Sequence, residues 1–334
     1  LVVSRFLGSQ AIRLTQDLPR VLMYHRFSDD VDSSCGLFGS VSESELRDQL
    51  DYITQNFAVI PLQKLVDEVL AKRVLPPRSL VITVDDGYSD FYDTAFPIFR
   101  EYNLPVTLFV ATDFVEGKKW LWPDIIRYIL QRSKKNHVYI DLAGKLTLIR
   151  LGTDKLIASA WDILSNYGIE LDDNGLENFL VQLSDICCVE VPAKVDEAYL
   201  PLNWSKISQM EAEGLDIGSH SITHRRMSTL SESEQREELL SSRRIIERNI
   251  AGRVKHFCYP YGRGLDYSNV SNTLLHECDY QSAVVGFHDN AVGDVMELRR
   301  YGIGDNHYEF LKKVNGLTYL KEKLNLLMPR RPER

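Results

Sequence analysis

The sequence predicts an α/β protein with a parallel sheet or barrel, on three observations. Short apolar, β-branched runs alternate with amphipathic helical text along most of the chain. The runs are apolar at successive positions, as strands covered by helices on both faces require. Several of them end in polar or titratable clusters, where α/β folds place ligand sites because loops vary there while strands hold them rigidly.

In chain order, Val21 to Tyr24 reads as a strand ending in His25, followed by a polar loop from Ser28 to Ser40. Ser42 and Glu45 form a capping box that opens a helix with Leu46, Leu50 and Ile53 on one face. A strand near Phe57 to Ile60, a helix from Leu62 to Ala71 and a strand over Leu80 to Val84 follow. DFYDTAFPIFREYN reads as helical despite Pro97, and LPVTLFVAT as a buried strand. From about residue 116 to 202 the alternation gives way to mixed helical and polar text, read as a mostly helical insertion, a cap or lid, within a single catalytic domain over 1–334. Alternation then resumes with SKISQMEAEG as helix, LDIGS as strand, SESEQREELLSSRRIIERNI as helix and VKHFCYP as strand. A helix near Ser268 to His276, the strand SAVVGF and a C-terminal helix complete the chain.

Composition narrows the partners. The net charge of -8, with only short basic clusters, argues against a nucleic-acid surface. No apolar run of about 18 residues is present, so no membrane span is expected. The segment before Val21 lacks a long apolar core and a small-residue cleavage site, and the expected location is cytoplasmic. The cysteines, Cys35, Cys187, Cys188, Cys258 and Cys278, are five, odd in number and without C-x-x-C spacing, which points to free thiols in a reducing compartment.

Three stretches carry chemistry. In LVITVDDGYSD, Asp85 and Asp86 stand at a strand end; Asp-Gly also suits a solvated turn. In GLDIGSHSITHRRM, His220 and His224 stand at i and i+4, where a helical turn would stack both imidazoles toward one ion. Two histidines and one carboxylate form a three-ligand set that leaves a position for water. A second carboxylate beside the first can then accept that water's proton. A glycosidase pair needs carboxyl groups facing each other at roughly 5–9.5 Å, whereas successive extended residues point apart. In HFCYPYGRG, Tyr259, Pro260, Tyr261 and Gly262 form either a plain strand-to-turn junction or a wall of backbone amides and rings.

TVDDG, SHSITH and YPYG, in this order and each at a strand end, resemble the three principal motifs of the polysaccharide deacetylase family, carbohydrate esterase family 4. VLMYHRF, LPVTLFVAT and LRRYGI extend the likeness, in particular to the subgroup that de-N-acetylates poly-N-acetylglucosamine and other surface glycans. The resemblance implies a distorted (β/α) barrel and a hydrolase that removes N-acetyl groups from a polysaccharide or its precursor. It implies Asp85 as general base and Asp86, His220 and His224 as ligands of a divalent ion, Zn2+ first, with Co2+, Ni2+ or Mn2+ as alternatives. The Tyr261 N–H is implied as oxyanion donor. Many members tether the base with an arginine in the third motif, where this chain has Cys258; Arg300 in LRRYGI resembles the arginine that takes this role late in the chain. The late Leu-x-His of familiar members is missing, which leaves His25 in MYHRF as the general acid and His288 in GFHDN as its rival. Trp120, Trp122 and Trp161 in the insertion are core residues or sugar platforms. Two other functions stay open: a deacylase of another amide, such as an N-formyl aminosugar, and a glycan-binding protein without turnover.

Overall fold

The computed structural model describes residues 2–28, 40–286 and 294–327, so Cys35 and His288 lie outside the described residues. Strands β1 (Arg20–Tyr24), β2 (Ala58–Val59), β3 (Ser79–Val84) and β4 (Val106–Val110) precede the insertion. The insertion contains the strands β5 (His137–Leu142) and β6 (Lys145–Arg150). After it come β7 (Asp216–Ser219), β8 (His256–Cys258), β9 (Ser282–Val285), β10 (Leu298–Arg299) and β11 (Tyr301–Gly302). The strands outside the insertion pair in parallel in the order β10-β9-β8-β7-β4-β3-β1-β11, with β2 beside β3. This is the expected barrel, nearly closed and built of eight parallel strands with helices around it.

Closure falls to a single residue. β10 and β11 are the two edges of the sheet, yet only Arg300 separates them in sequence. The chain therefore steps across the seam at Arg300 and fixes that side chain among the strands.

Alternation along β3 sorts its residues. Leu80, Ile82 and Val84 join the large cluster that includes Leu46, Leu50 and Ile53 of the helix Glu43–Asn56. On the other face, Val81 packs with Val21, Phe109, Cys258 and Val284, and the helix Leu62–Leu70 adds Leu65 and Val66 to that group. Thr83 and Asp85 follow Val81 at the same parity, so Asp85 is carried by this second face. The Ser42–Glu45 capping box is present.

Three local features add to the sequence reading, and DFYDTAFPIFREYN is helical as expected. Val2–Leu14 is helical, and Pro97 is accommodated by a wide turn: Phe91–Ala95 is a π-helix, with the Phe96 N–H reaching back to the Phe91 carbonyl. Pro97 then occupies the first turn of the helix Phe96–Glu101, where its missing N–H costs nothing. The insertion, expected to be mostly helical, also holds the antiparallel hairpin β5–β6, closed by Ala143 and Gly144 at φ of 56° and 82°. HVYIDL alternates exposed and buried residues, a period-2 signal hidden in polar text. Around the hairpin stand the helices Trp122–Arg132, Asp154–Gly168 and Asp173–Cys187. Ile126, Ile129, Ile140, Leu164, Phe179 and Leu183 make a hydrophobic core separate from that of the barrel.

Candidate active site and metal centre

The parallel register brings the strand ends to one level. Tyr24 pairs with Val84, and the next N–H, of Asp85, donates to the Tyr24 carbonyl at 2.9 Å. Val110 pairs with Ser219, and the next N–H, of His220, donates to the Val110 carbonyl at 2.9 Å. His25, Asp85, Asp86 and His220 thereby leave β1, β3 and β7 at one level, with β4 between β3 and β7.

Asp86 has φ of 76°, a left-handed backbone conformation that is uncommon for a residue other than glycine. Asp86 Oδ1 lies 3.4 Å from Nε2 of both His220 and His224. The two imidazole Nε2 atoms lie 3.2 Å apart. Donors each about 2.0–2.1 Å from one tetrahedral ion stand roughly 3.3–3.4 Å from each other, so the three atoms already have the spacing of a metal triad. His220 Nδ1 is 2.8 Å from the Cys258 carbonyl, a contact that places its hydrogen there and turns the Nε2 lone pair toward the other two donors. Without a cation, lone pairs this close repel. The donor set fits a divalent ion.

The route by which the histidines converge corrects the sequence expectation. SHSITH forms no helical turn: it is a loop after β7, with Ser221 at φ of 67° and His224 at φ of 57°. Side chains hold it in that shape. The Ser221 hydroxyl accepts from the His224 N–H at 3.0 Å. Glu238, on the helix Glu232–Glu247, accepts from the Ile222 and Thr223 N–H groups at 2.7 and 3.1 Å and from the Thr223 hydroxyl at 2.6 Å. Sequence reasoning did not single out Glu238, although its spacing from Gln235, Leu239 and Ser242 on the buried helix face carried the signal.

Asp85 faces a different neighbourhood. Arg300 Nη1 and Nη2 donate to its two carboxylate oxygens, each at 2.7 Å, a bidentate pair with both residues buried. Arg300 also donates to the Thr83 hydroxyl at 3.0 Å and the Val285 carbonyl at 3.3 Å, so it is anchored on both sides of the seam. Burial alone raises the Asp85 carboxyl, but the Arg300 guanidinium outweighs it and holds the group below the usual range. Burial likewise opposes charge on Asp86, and the His220 and His224 contacts override it, so it too is lowered. Burial and the neighbouring His220 push the His224 imidazole down to about 4, which keeps its lone pair free.

Cys258 stands where a third-motif arginine was expected, with Sγ 3.0 Å from Arg300 Nη2 and 3.4 Å from Asp85 Oδ2. A thiol here leaves room for a guanidinium arriving from Arg300. His25 Nε2 lies 3.9 Å from Asp85 Oδ2, and its side chain is 41% exposed, facing the open side of the site. Tyr261 and Gly262 have φ of 63° and 64°, and the Tyr261 N–H donates to no other group among the described residues. The Tyr261 ring stands against His224, its hydroxyl donates to the His224 carbonyl at 3.2 Å, and it accepts from Trp122 Nε1.

Trp122 thus joins the insertion, through Tyr261, to the loop that carries His224, a role not assigned from sequence. Trp161 donates to the Pro123 carbonyl and packs on the insertion core, while Trp120 packs against Tyr128 and Tyr199. A second seam lies beneath: Arg26 pairs with Asp90 at 2.6 Å, and the Tyr88 hydroxyl donates at 2.5 Å to the buried Asp124 of the insertion. Among the described residues, no helix is long and apolar enough to cross a membrane.

Residues 72–138 and 188–283 match the family model described as polysaccharide deacetylase. The poly-beta-1,6-N-acetyl-D-glucosamine N-deacetylase of Escherichia coli K12 is 28% identical over 85 residues, 25% of this chain and 12% of that protein. The enzyme of the same name from Staphylococcus epidermidis is 30% identical over 76 residues, 23% of this chain and 26% of that protein. The matches therefore span about a quarter or less of these relatives' own length. A solved Streptococcus pyogenes deacetylase in complex with acetate has the same fold, with a TM-score of 0.57 at 15% identity, covering 86% of this chain and 93% of that one.

Proposed function

Because this chain belongs to the polysaccharide deacetylase family, we propose that it is a metal-dependent hydrolase of the N-acetyl groups of N-acetylhexosamine residues in a polysaccharide or glycan precursor. One observation carries the reading: Asp86, His220 and His224 offer three donors at metal-triad spacing, directly beside a carboxylate that Arg300 keeps ionised and immobile.

Asp86, His220 and His224 would hold the ion, and a nitrogen and oxygen set of this kind suits Zn2+, with Co2+, Ni2+ or Mn2+ as alternatives. A bound divalent ion supplies Lewis acidity, polarising the amide carbonyl and lowering the pKa of water from 15.7 toward about 7. Asp85 accepts the proton of the attacking water, and its pairing with Arg300 stops it from swinging away between turnovers. The Tyr261 N–H, free to donate, faces the oxyanion as the carbonyl becomes tetrahedral. His25, at the open side of Asp85, donates a proton to the departing amine as the C–N bond breaks. The products are acetate and a free hexosamine.

The test is acetate release from N-acetylglucosamine oligomers by protein stripped of metal and then given Zn2+ or Co2+. Metal-restored release that Asp85→Asn abolishes is the expected result. Release of formate from N-formyl sugars in its place, or tight metal binding with no release, would replace this reading with one of the two alternatives.

A further inference from the structure

The segment from Ser221 to His224 must bring the His224 imidazole against that of His220 while Ser221 and His224 stay at φ of 67° and 57°. The left-handed region is unfavourable for residues that carry a Cβ, so a free chain would leave it. The neighbours of the loop supply what its own backbone lacks. On the carbonyl side, the N–H groups of Thr112 and Asp113, at the start of the helix Thr112–Val115, donate to the Ser221 and Ile222 carbonyls at 3.2 and 2.9 Å. The Tyr261 hydroxyl donates to the His224 carbonyl. On the N–H side, the Glu238 carboxylate accepts from the Ile222 and Thr223 N–H groups and from the Thr223 hydroxyl.

All of these contacts are made by groups of the chain itself, so they hold the loop whether or not a cation is bound. Glu238 is buried, and its own position is fixed. The Ser242 hydroxyl, one turn further along the helix Glu232–Glu247, donates to the Glu238 carbonyl at 2.5 Å and accepts from the Ser219 hydroxyl at 2.7 Å. Ser219 ends β7, the strand that leads directly into His220. One short chain of hydrogen bonds thus ties the backbone of Glu238 to the strand of one histidine, and its carboxylate to the loop of the other.

We infer that Glu238 is a positioning residue for the metal centre: it preforms the loop of His224, so that the triad has its spacing before the ion arrives. The inference rests on the reading of Asp86, His220 and His224 as metal ligands. A loop already in shape loses little further conformational freedom when the ion binds, and affinity is higher for that reason.

The experiment measures Zn2+ and Co2+ affinity of the full chain by competition with a chromophoric chelator. Glu238→Ala should weaken binding roughly 10–100-fold. Glu238→Gln keeps an oxygen that can accept from both N–H groups and should recover most of that loss. Thr223→Val removes the hydroxyl contact alone and should weaken binding by a smaller factor. Glu211 also accepts from two successive N–H groups, those of Ala251 and Gly252, in the turn before β8 at the other end of the strands. Glu211→Ala should therefore leave metal affinity as in the wild type. Hydrogen exchange of the metal-free wild type should show the Ile222, Thr223 and His224 amides protected nearly as in the loaded protein, and unprotected in Glu238→Ala. Unchanged metal affinity in Glu238→Ala, or in Thr223→Val if Glu238→Ala fails to fold, overturns the proposal. So do wild-type amides that gain protection only when the ion is added. A wild type that binds neither ion removes the metal reading and the proposal with it. Weakened binding in Glu238→Ala without acetate release from the wild type retains the proposal and removes only the deacetylase reading.

Discussion

The barrel and the insertion solve opposite problems. The barrel aligns the ends of parallel strands so that a few titratable groups from distant parts of the chain meet at fixed distances. The insertion builds its own small core of helices and one hairpin, and it turns a partly apolar wall toward the site. The family match follows the same division. It covers Asp85, Asp86, His220, His224 and Tyr261, and it omits 139–187. The match thus holds most of the clustered titratable groups, although His25 and Arg300 lie outside it, and the insertion wall is divided, with Leu121, Trp122 and Ile125 inside the match and Leu171, Leu176 and Leu180 outside.

The largest effect should come from the barrel side. Asp85→Asn keeps the shape and removes the base, so kcat should fall by roughly 10²–10⁴ with metal content unchanged, as read by acetate release and metal analysis of the same sample. His220→Ala should instead lose the metal. If both variants lost metal alike, the separation of base and ligand between Asp85 and Asp86 would be wrong.

Next in size is the seam. Arg300→Met leaves the Asp85 carboxylate buried without its partner, and breaking a buried pair in this way costs about 3–5 kcal/mol. A lower melting temperature with a large fall in kcat is expected, and Arg300→Lys should restore charge but not the two-pronged contact. Full activity in Arg300→Met would sink the tethering role.

A third experiment asks whether the two cores are separate. Ile140→Ala inside the insertion should cost about 2–5 kcal/mol locally. Hydrogen exchange should accelerate in residues 122–187 while β3 and β4 keep their protection. Uniform acceleration would show that barrel and insertion unfold as one unit.

The smallest effect concerns the seam at Asp124. Burial holds this carboxyl above its ordinary value, with Arg127 and Arg26 opposing. The folded state therefore binds more protons than the unfolded one between the ordinary value and the raised one, and stability declines as pH rises through that interval. Asp124→Asn keeps an acceptor for Tyr88 and should remove this decline in melting temperature. An unchanged pH dependence would assign it to other groups, Asp90 among them.

Much of this was legible in the residues. Strand runs of apolar residues, the capping box at Ser42, and helical faces such as Leu46, Leu50 and Ile53 are local signals, set by period and by hydrogen bonds a few residues long. The Asp pair, the two histidines and YPYG could be placed at strand ends for the same reason. The hairpin β5–β6 was missed because alternation is its only sign and is blurred in β6, where Leu146 and Leu148 are exposed and Ile149 is buried.

What the sequence by itself determined is therefore the order of strands and helices and the residue types offered at each strand end, because these depend on neighbours in the chain. Only the tertiary structure decided how they meet. Arg300 lies 215 positions from Asp85 and reaches it because barrel closure brings the two sheet edges to one residue. His224 reaches His220 through two left-handed residues that Glu238 and Ser221 hold in place, and not through the helical turn that the spacing suggested. Left-handed conformations, buried ion pairs and the wall beside the site are stabilised by contacts across the fold, and no local pattern encodes them.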